Sequence, residues 1–175
     1  MDQIFGLDKH RLTDKKLVRC FDVDGVLMTY AYGTNGIYAY RNDKFQEYLK
    51  TNNIYKTATA PLLIKEYIDN CTIKENNFVI TKVYTDTEFE YKRAAIMEKY
   101  PNKFDESQIF SVKCNEHKAS LMQYFADIKN VGENGIVMID DSLEVLDKVE
   151  TLRMQDKRLM TLHISSFLNI KDWTK

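Results

Sequence analysis

The chain has 175 residues, of which 44% are hydrophobic and 29% are charged. This composition is typical of a globular protein, and the length predicts a single domain over residues 1–175. The 25 lysines and arginines nearly balance the 26 aspartates and glutamates, which argues against nucleic acid as a partner. No apolar run approaches the ~20 residues that cross a bilayer, and the N-terminus lacks the apolar core of a signal peptide. We therefore expect a cytoplasmic protein with no membrane partner and with reduced cysteines.

The first half of the chain contains one predicted buried strand, a hairpin and two helices. The strand is KKLVRCF, at 15–21. The next segment, MTYAYGTNGIYAY at 28–40, places an Asn-Gly dipeptide between two β-prone runs, a pattern typical of a β-hairpin. Helices are predicted to begin near Asp43 and near Pro61, since both residues suit the start of a helix.

The second half alternates regularly between strands and helices. Strands are predicted at 76–82, 107–113, 135–140 and 158–164. The helices between them are predicted at 88–100, 116–128 and 143–152. Thr87 and Glu90 form a candidate capping box for the first of these helices, while Asn115 and Ser142 are candidate caps for the other two. The C-terminal tail after the last strand has no predicted element.

This alternation defines the expected fold class. Short unbroken apolar strands separated by amphipathic helices predict a parallel sheet that is covered on both faces. Right-handed crossovers then give an α/β protein with a three-layer, doubly wound, Rossmann-like sheet. No G-x-G-x-x-G motif follows the first strand, which argues against a dinucleotide site. Residues 28–60 are left as an insertion that forms a β-hairpin flap and at most a minimal cap.

Carboxylates follow two of the predicted strands at the edge where ligands bind in such sheets. Asp22 and Asp24 come after the first strand, and Asp140 and Asp141 come at the end of the fourth. Residues i and i+2 of an extended segment point the same way, so Asp22 and Asp24 can face one crevice. Several carboxylates in a small volume raise one another's pKa and destabilise the fold. We therefore expect a divalent cation, and Mg²⁺ suits a site where phosphate supplies a further oxygen.

Two further polar residues are predicted at the same edge. Thr81 ends the second strand, and Lys118 lies in the first turn of the helix after the third strand. The Thr81 hydroxyl can donate a hydrogen bond to a phosphate oxygen, and the Lys118 ammonium can pair with its charge. A small phosphorylated molecule is therefore the expected substrate.

The sequence carries a resemblance to a known superfamily. FDVDGVL, Thr81 at a strand end, Lys118 at a helix start and IVMIDDS occur in the order of the four motifs of the haloacid dehalogenase (HAD) superfamily. The resemblance covers about residues 16–165. The segments EYKRAAIMEKYPNKF, IFSVKCNEHK and IVMIDDS are also loosely similar to 5′(3′)-deoxyribonucleotidases, which suggests a nucleotide substrate. Those enzymes carry a larger helical cap than residues 28–80 can provide.

The resemblance implies a role for each matching residue. Asp22 resembles the nucleophile that becomes an aspartyl-phosphate, and Asp24 resembles the general acid and base. The Mg²⁺ ligands would be Asp22, the backbone carbonyl of Asp24, and Asp140 or Asp141. An acidic residue two positions after the nucleophile marks phosphatases within the superfamily. The resemblance thus implies a Mg²⁺-dependent phosphatase that hydrolyses a phosphate monoester of a small metabolite or nucleotide.

Two positions depart from the superfamily pattern. Thr81 is followed by Lys82, where a small or polar residue is usual. Either an extra cation lies near the phosphate, or Thr85 takes the role of Thr81. Lys113 competes with Lys118 for the lysine position, and we favour Lys118 because the first turn of a helix directs its side chain to the strand ends.

The tyrosines of the predicted hairpin are open to two interpretations. Tyr30, Tyr32, Tyr38 and Tyr40 share one face of the hairpin by two-residue alternation. They can stack across the strands and stiffen the hairpin, or they can contact substrate from a flap, with Tyr30 and Tyr32 as candidate substrate-binding residues.

Two other functions remain open from the sequence. One is a phosphatase that acts on a macromolecular phosphate, such as a nucleic-acid end or a phosphoprotein, because a small cap leaves the site open. The other is a non-catalytic module that binds phosphate and Mg²⁺, for which the Thr81-Lys82 pair is the only support.

Overall fold

The structure is a computed structural model, and it describes residues 3–4, 7–30, 47–49 and 51–169. The strands are β1 (Gln3–Ile4), β2 (Leu7–Asp8), β3 (Val18–Phe21), β4 (Asn77–Lys82), β5 (Ile109–Val112), β6 (Ile136–Asp140) and β7 (Leu159–His163). The α-helices with complete bounds are α1 (Lys9–Thr13), α2 (Leu62–Cys71), α3 (Asp86–Lys99), α4 (Glu116–Ile128) and α5 (Leu143–Arg153). Short 3-10 helices cover Ile54–Lys56, Lys74–Asn76, Glu106–Gln108, Gly132–Asn134 and Ile164–Asn169.

Strands β3 to β7 form one all-parallel sheet in the order β5-β4-β3-β6-β7. The central strand is β3, where Cys20 pairs with Phe78 of β4 and with Met138 of β6. The predicted α/β class with a parallel sheet is confirmed, and the arrangement is compatible with a Rossmann-like fold. Strands β1 and β2 pair separately and antiparallel, and the sequence did not predict them.

Buried clusters lie on both faces of the sheet because strand side chains alternate in direction. Val18 and Cys20 of β3 belong to a cluster with apolar residues of α4 and α5. Phe21 belongs to a second cluster with residues of α2 and α3. Helices and sheet therefore form three layers, as the unbroken apolar strands predict.

A fully buried arginine connects the N-terminal part of the chain to the central strand through hydrogen bonds. Arg19 donates hydrogen bonds to the backbone oxygens of Leu12 at 2.7 Å and Leu17 at 2.5 Å, and to the Tyr67 hydroxyl at 2.6 Å. The side chain is 0% exposed. Its partners tie α1 and α2 to β3.

The ends of three helices differ in detail from the prediction. Helix α3 begins two residues earlier than expected, because the Thr85 hydroxyl accepts the Glu88 N–H at 3.1 Å. The predicted capping box at Thr87 is therefore wrong. Asn115 and Ser142 do occupy N-cap positions, but neither side chain makes a capping hydrogen bond. Helix α2 begins at Leu62, directly after Pro61, as predicted.

The structure describes the two ends of the predicted insertion at 28–60. Thr29 and Thr59 exchange backbone hydrogen bonds of 2.9 and 2.8 Å, so the chain leaves and rejoins the fold at one place. The predicted helix near Asp43 is represented by helical residues 47–49 and 51. Residues 31–46, with most of the predicted hairpin and with Tyr32, Tyr38 and Tyr40, lie outside the described residues.

All three cysteines are free; Cys20 and Cys71 are buried, and Cys114 is half-buried. Within the described part of the chain, no helix has the length and apolar character needed to cross a membrane. The single-domain organisation remains a prediction.

Candidate functional site

The sheet topology defines one edge as the place for a ligand. The chain runs from β3 outward to β4 and β5, and then crosses to β6 and β7 on the other side. In open parallel sheets, the crevice beyond the carboxyl ends at such a reversal binds ligands. Asp22 follows β3 directly and Asp140 ends β6, and the Asp22 N–H donates to the Ile139 oxygen at 3.0 Å. The pairing of β3 with β6 therefore brings both carboxylates to this crevice.

Three carboxylates form a compact group at the crevice. Asp22, Asp140 and Asp141 each offer one oxygen, and these oxygens lie within 4.8 Å of one another. Asp22 and Asp140 are buried, whereas Asp141 is exposed. The Ser142 N–H fixes Asp140 by donating to its Oδ1 at 2.9 Å.

A glycine makes room for this group. Gly25 has a φ of 76°, which favours glycine, and a Cβ there would overlap the Asp141 carboxylate. The glycine of FDVDGVL is thus required both by the backbone turn and by the close approach of Asp141.

Lys118 lies between two of the carboxylates. Its Nζ is 2.9 Å from Asp22 Oδ1 and 2.9 Å from Asp140 Oδ2, and its side chain is buried. The contact with Asp140 is a hydrogen bond. The contact with Asp22 has ion-pair distance only, and buried Oδ1 of Asp22 has no hydrogen-bond partner within the described residues. This oxygen has unused capacity for a ligand.

The electrostatics of the group favour a cation. Burial raises the pKa of Asp22 to about 6; Lys118 opposes this shift, and the charges of Asp140 and Asp24 add to it. Burial also raises the pKa of Asp140 and of Asp141. A divalent cation offsets both the burial and the repulsion of these charges. The donors are all carboxylate oxygens, and Asp22 Oδ1 accepts no hydrogen bond within the described residues beyond its ion pair with Lys118, so the residues present fit Mg²⁺.

The Asp24 side chain makes a different set of contacts. Its Oδ2 lies 2.6 Å from Lys92 Nζ, and its Oδ1 accepts from the Tyr55 hydroxyl at 3.0 Å and the Tyr30 hydroxyl at 3.2 Å. Its carboxylate is not part of the three-carboxylate group found among the described residues. This agrees with the resemblance, which implies the backbone carbonyl of Asp24, and not its carboxylate, as the metal ligand.

The alternatives for the phosphate-binding residues occupy distinct places. Thr81 is fully buried, and its hydroxyl accepts from Lys92 Nζ at 3.0 Å. Thr85 caps α3 with its hydroxyl. Lys113 has a side chain that is 62% exposed and pairs with an exposed carboxylate of α3. The structure therefore brings Lys118, and not Lys113, to the carboxylates.

The structure describes the positions of Lys82 and Tyr30 but not that of Tyr32. Lys82 Nζ lies 5.3 Å from the centre of the Tyr84 ring. Tyr30 reaches Asp24, as given above, and its ring meets that of Tyr55 edge-on, with centroids 6.1 Å apart. Tyr32 lies outside the described residues.

Sequence reasoning missed Lys92 and Glu88. The two residues are spaced i, i+4 on α3 and form a buried ion pair of 3.1 Å. Such a pair in a sequence usually indicates an exposed helix face. A signal was present, because Lys92 lies three and four residues before buried Ala95 and Ile96 and so shares their face.

Comparison of the chain with models of known protein families gives no match, and a search of curated proteins gives no significant match. The functional interpretation therefore depends on the geometry of the site and on the chemistry of its residues.

Proposed function

We propose that the chain is a Mg²⁺-dependent phosphatase of the HAD type, which hydrolyses a phosphate monoester through an aspartyl-phosphate on Asp22. The observation that carries this proposal is the state of Asp22. Its buried Oδ1 lacks a hydrogen-bond partner among the described residues, 2.9 Å from a buried lysine and within a group of three carboxylates. A nucleophile for phosphorus needs such an available oxygen, and the charge of the phosphate needs such cations.

The metal would be held by Asp22, Asp140 and Asp141. When bound, Mg²⁺ would neutralise phosphate charge and orient the phosphoryl group toward the nucleophile. Lys118 would donate to a phosphate oxygen beside Asp22, since its Nζ already lies 2.9 Å from Asp22 Oδ1.

The reaction has two balanced steps. In the first, an Asp22 oxygen forms a bond to phosphorus as the bond from phosphorus to the leaving oxygen breaks, and Asp24 gives that oxygen a proton. In the second, Asp24 takes a proton from water, the water oxygen attacks phosphorus, and the bond to Asp22 breaks. Inorganic phosphate leaves, and both aspartates return to their starting states.

The order of the elements supports the HAD assignment. The residues of the four motifs follow β3, end β4, open α4 and end β6, and all lie at the carboxyl edge of one parallel sheet. We propose a small phosphorylated metabolite or a nucleotide as substrate, bound beside the minimal cap at 28–60.

The test is turnover of para-nitrophenyl phosphate and a panel of mononucleotides, with Mg²⁺ and with a chelator. We expect hydrolysis only with Mg²⁺ and loss of hydrolysis in Asp22→Asn. The matched control is Asp147→Asn, an exposed aspartate on α5, which should keep full activity. Hydrolysis that survives either Asp22→Asn or the chelator would refute the proposal.

A further inference from the structure

Lys92 is a fully buried lysine of α3, and its ammonium group is surrounded by oxygen atoms. Its Nζ lies 2.6 Å from Asp24 Oδ2, 2.7 Å from the Lys82 backbone oxygen, 3.0 Å from Thr81 Oγ1 and 3.1 Å from Glu88 Oε1. An ammonium group has three N–H donors, so these four contacts use its whole capacity. With these donors occupied, Lys92 has none left for a substrate phosphate.

The contact with Thr81 determines the direction of a hydroxyl proton. Lys92 only donates hydrogen bonds, so Thr81 Oγ1 must accept from it and direct its own hydrogen elsewhere. That hydrogen has the Lys82 backbone oxygen at 3.4 Å as a partner, which is long for an O–H donor. Lys92 thereby leaves the Thr81 hydroxyl able to donate to a substrate oxygen.

The contact with Asp24 fixes the orientation of the carboxylate. Lys92 holds Oδ2, while the hydroxyls of Tyr55 and Tyr30 hold Oδ1. Tyr55 also approaches Glu88 Oε1 at 3.4 Å. Both oxygens of Asp24 therefore have defined partners, and one cation links Asp24 to Thr81.

The stability of the fold does not account for this arrangement. Burying an ammonium and a carboxylate costs several kcal/mol, and an apolar pair in their place is often equally stable or more stable. Lys92 and Glu88 lie on the same helix face as Ala95 and Ile96, where apolar residues are already accommodated. A role at the adjacent site explains why a charged pair occupies these positions.

We propose that Lys92 is a positioning residue for phosphate-ester hydrolysis, which orients Asp24 for proton transfer and directs the Thr81 hydroxyl to the phosphate. This inference rests on the proposed function. Among the described residues Lys92 makes no ion pair with the three clustered carboxylates, and it has no donor left for the substrate. Its loss should therefore slow the chemical step more than it weakens substrate binding.

The test uses substrates that differ in their need for a proton. A para-nitrophenolate leaves without protonation, whereas the alkoxide of an alkyl phosphate such as glycerol phosphate requires it. The variants are Lys92→Met and the double variant Glu88→Gln with Lys92→Met. The double variant also removes the charge of Glu88, so that this buried carboxylate is not left without its cation and the fold is less disturbed. Tyr55→Phe removes a neutral donor to Asp24, and Arg93→Met removes the neighbouring cation of α3 as the matched control.

We expect the double variant to lose about 100-fold or more of kcat on alkyl phosphate, in keeping with the contribution of general acid catalysis. On para-nitrophenyl phosphate the loss should stay below about tenfold, and KM should change by less than about threefold on both substrates. Tyr55→Phe should show a smaller loss with the same preference, and Arg93→Met should match the parent.

Each contrary outcome has a distinct meaning. Equal losses on the two substrates, or a raised KM with unchanged kcat, would overturn the positioning role and leave the proposed function in place. A parent protein that hydrolyses neither substrate with Mg²⁺ would remove the proposed function and this inference together. Circular dichroism and thermal unfolding establish that each variant is folded, and Tyr55→Phe, which retains every charge, still decides the question if the Lys92 variants do not fold.

Discussion

Replacing Asp22 with asparagine removes a charge that the fold buries at neutral pH. Burial raises the pKa of Asp22 from its ordinary value of 3.8 to about 6, and asparagine has nearly the shape of the protonated carboxyl without its charge. Each pKa unit corresponds to about 1.4 kcal/mol. We therefore expect Asp22→Asn to raise the free energy of unfolding of the metal-free protein at neutral pH, by at most about 3 kcal/mol.

The size of this effect depends on pH in a defined way. Because the pKa of folded Asp22 lies above its ordinary value, the stability that Asp22 contributes is fully present below 3.8 and is lost as the pH rises through about 6. The difference between variant and parent should thus be small in acid, grow across this window and level off above it.

Urea and thermal unfolding in chelator-treated buffer, as a pH series, measure this difference. For a chain of this size, 1 kcal/mol shifts Tm by about 2–4 °C, so a gain of several degrees is expected. Asp147→Asn is the control, since its carboxylate is exposed. Our reasoning is refuted if Asp22→Asn is no more stable than the parent at neutral pH, or if the gain is the same in acid. Adding Mg²⁺ should stabilise the parent more than the variant, because ligand binding favours the folded state.

Two further predictions concern the neighbours of Asp22. Gly25→Ala should destabilise the protein by about 1–2 kcal/mol, because residue 25 has a positive φ. It should also weaken Mg²⁺ binding, because the new Cβ displaces Asp141. Calorimetric titration measures the Mg²⁺ affinity, and an unchanged affinity would contradict the second expectation. Lys118→Met should abolish phosphatase activity while Lys113→Met keeps it, since only Lys118 contacts the carboxylates; equal activities in the two variants would disprove the assignment.

The carboxylate group could be predicted from the sequence because the sheet imposes it. Asp22 and Asp140 follow apolar strands, and parallel strands bring their carboxyl ends to one edge. The carboxylate inference needs only the order of strands and helices. Lys118 was assigned through the resemblance, and its place in the first turn of a helix favoured it over Lys113.

The contacts of Asp24 could not be predicted, because they depend on how one helix is rotated against the sheet. Glu88 and Lys92 have the spacing of an ordinary surface pair, and only packing turns them toward Asp24. The start of α3 at Asp86 was missed because Thr85 and Thr87 are both plausible caps, and the structure uses Thr85.

The backbone exchange between Thr29 and Thr59 has a consequence for how this protein can change over time. The two bonds, of 2.9 and 2.8 Å, close the insertion at its base, directly after the turn that carries Asp24 and shortly after Tyr55. For a closed loop, doubling the length costs only about 0.6 kcal/mol. Tyr30 and Tyr55, which contact Asp24, and the core residues Leu49, Ile54 and Ala58 are constrained. Other residues between the two threonines can therefore be gained, lost or exchanged without moving the three carboxylates, so that the proposed reaction and its selectivity can change separately in evolution.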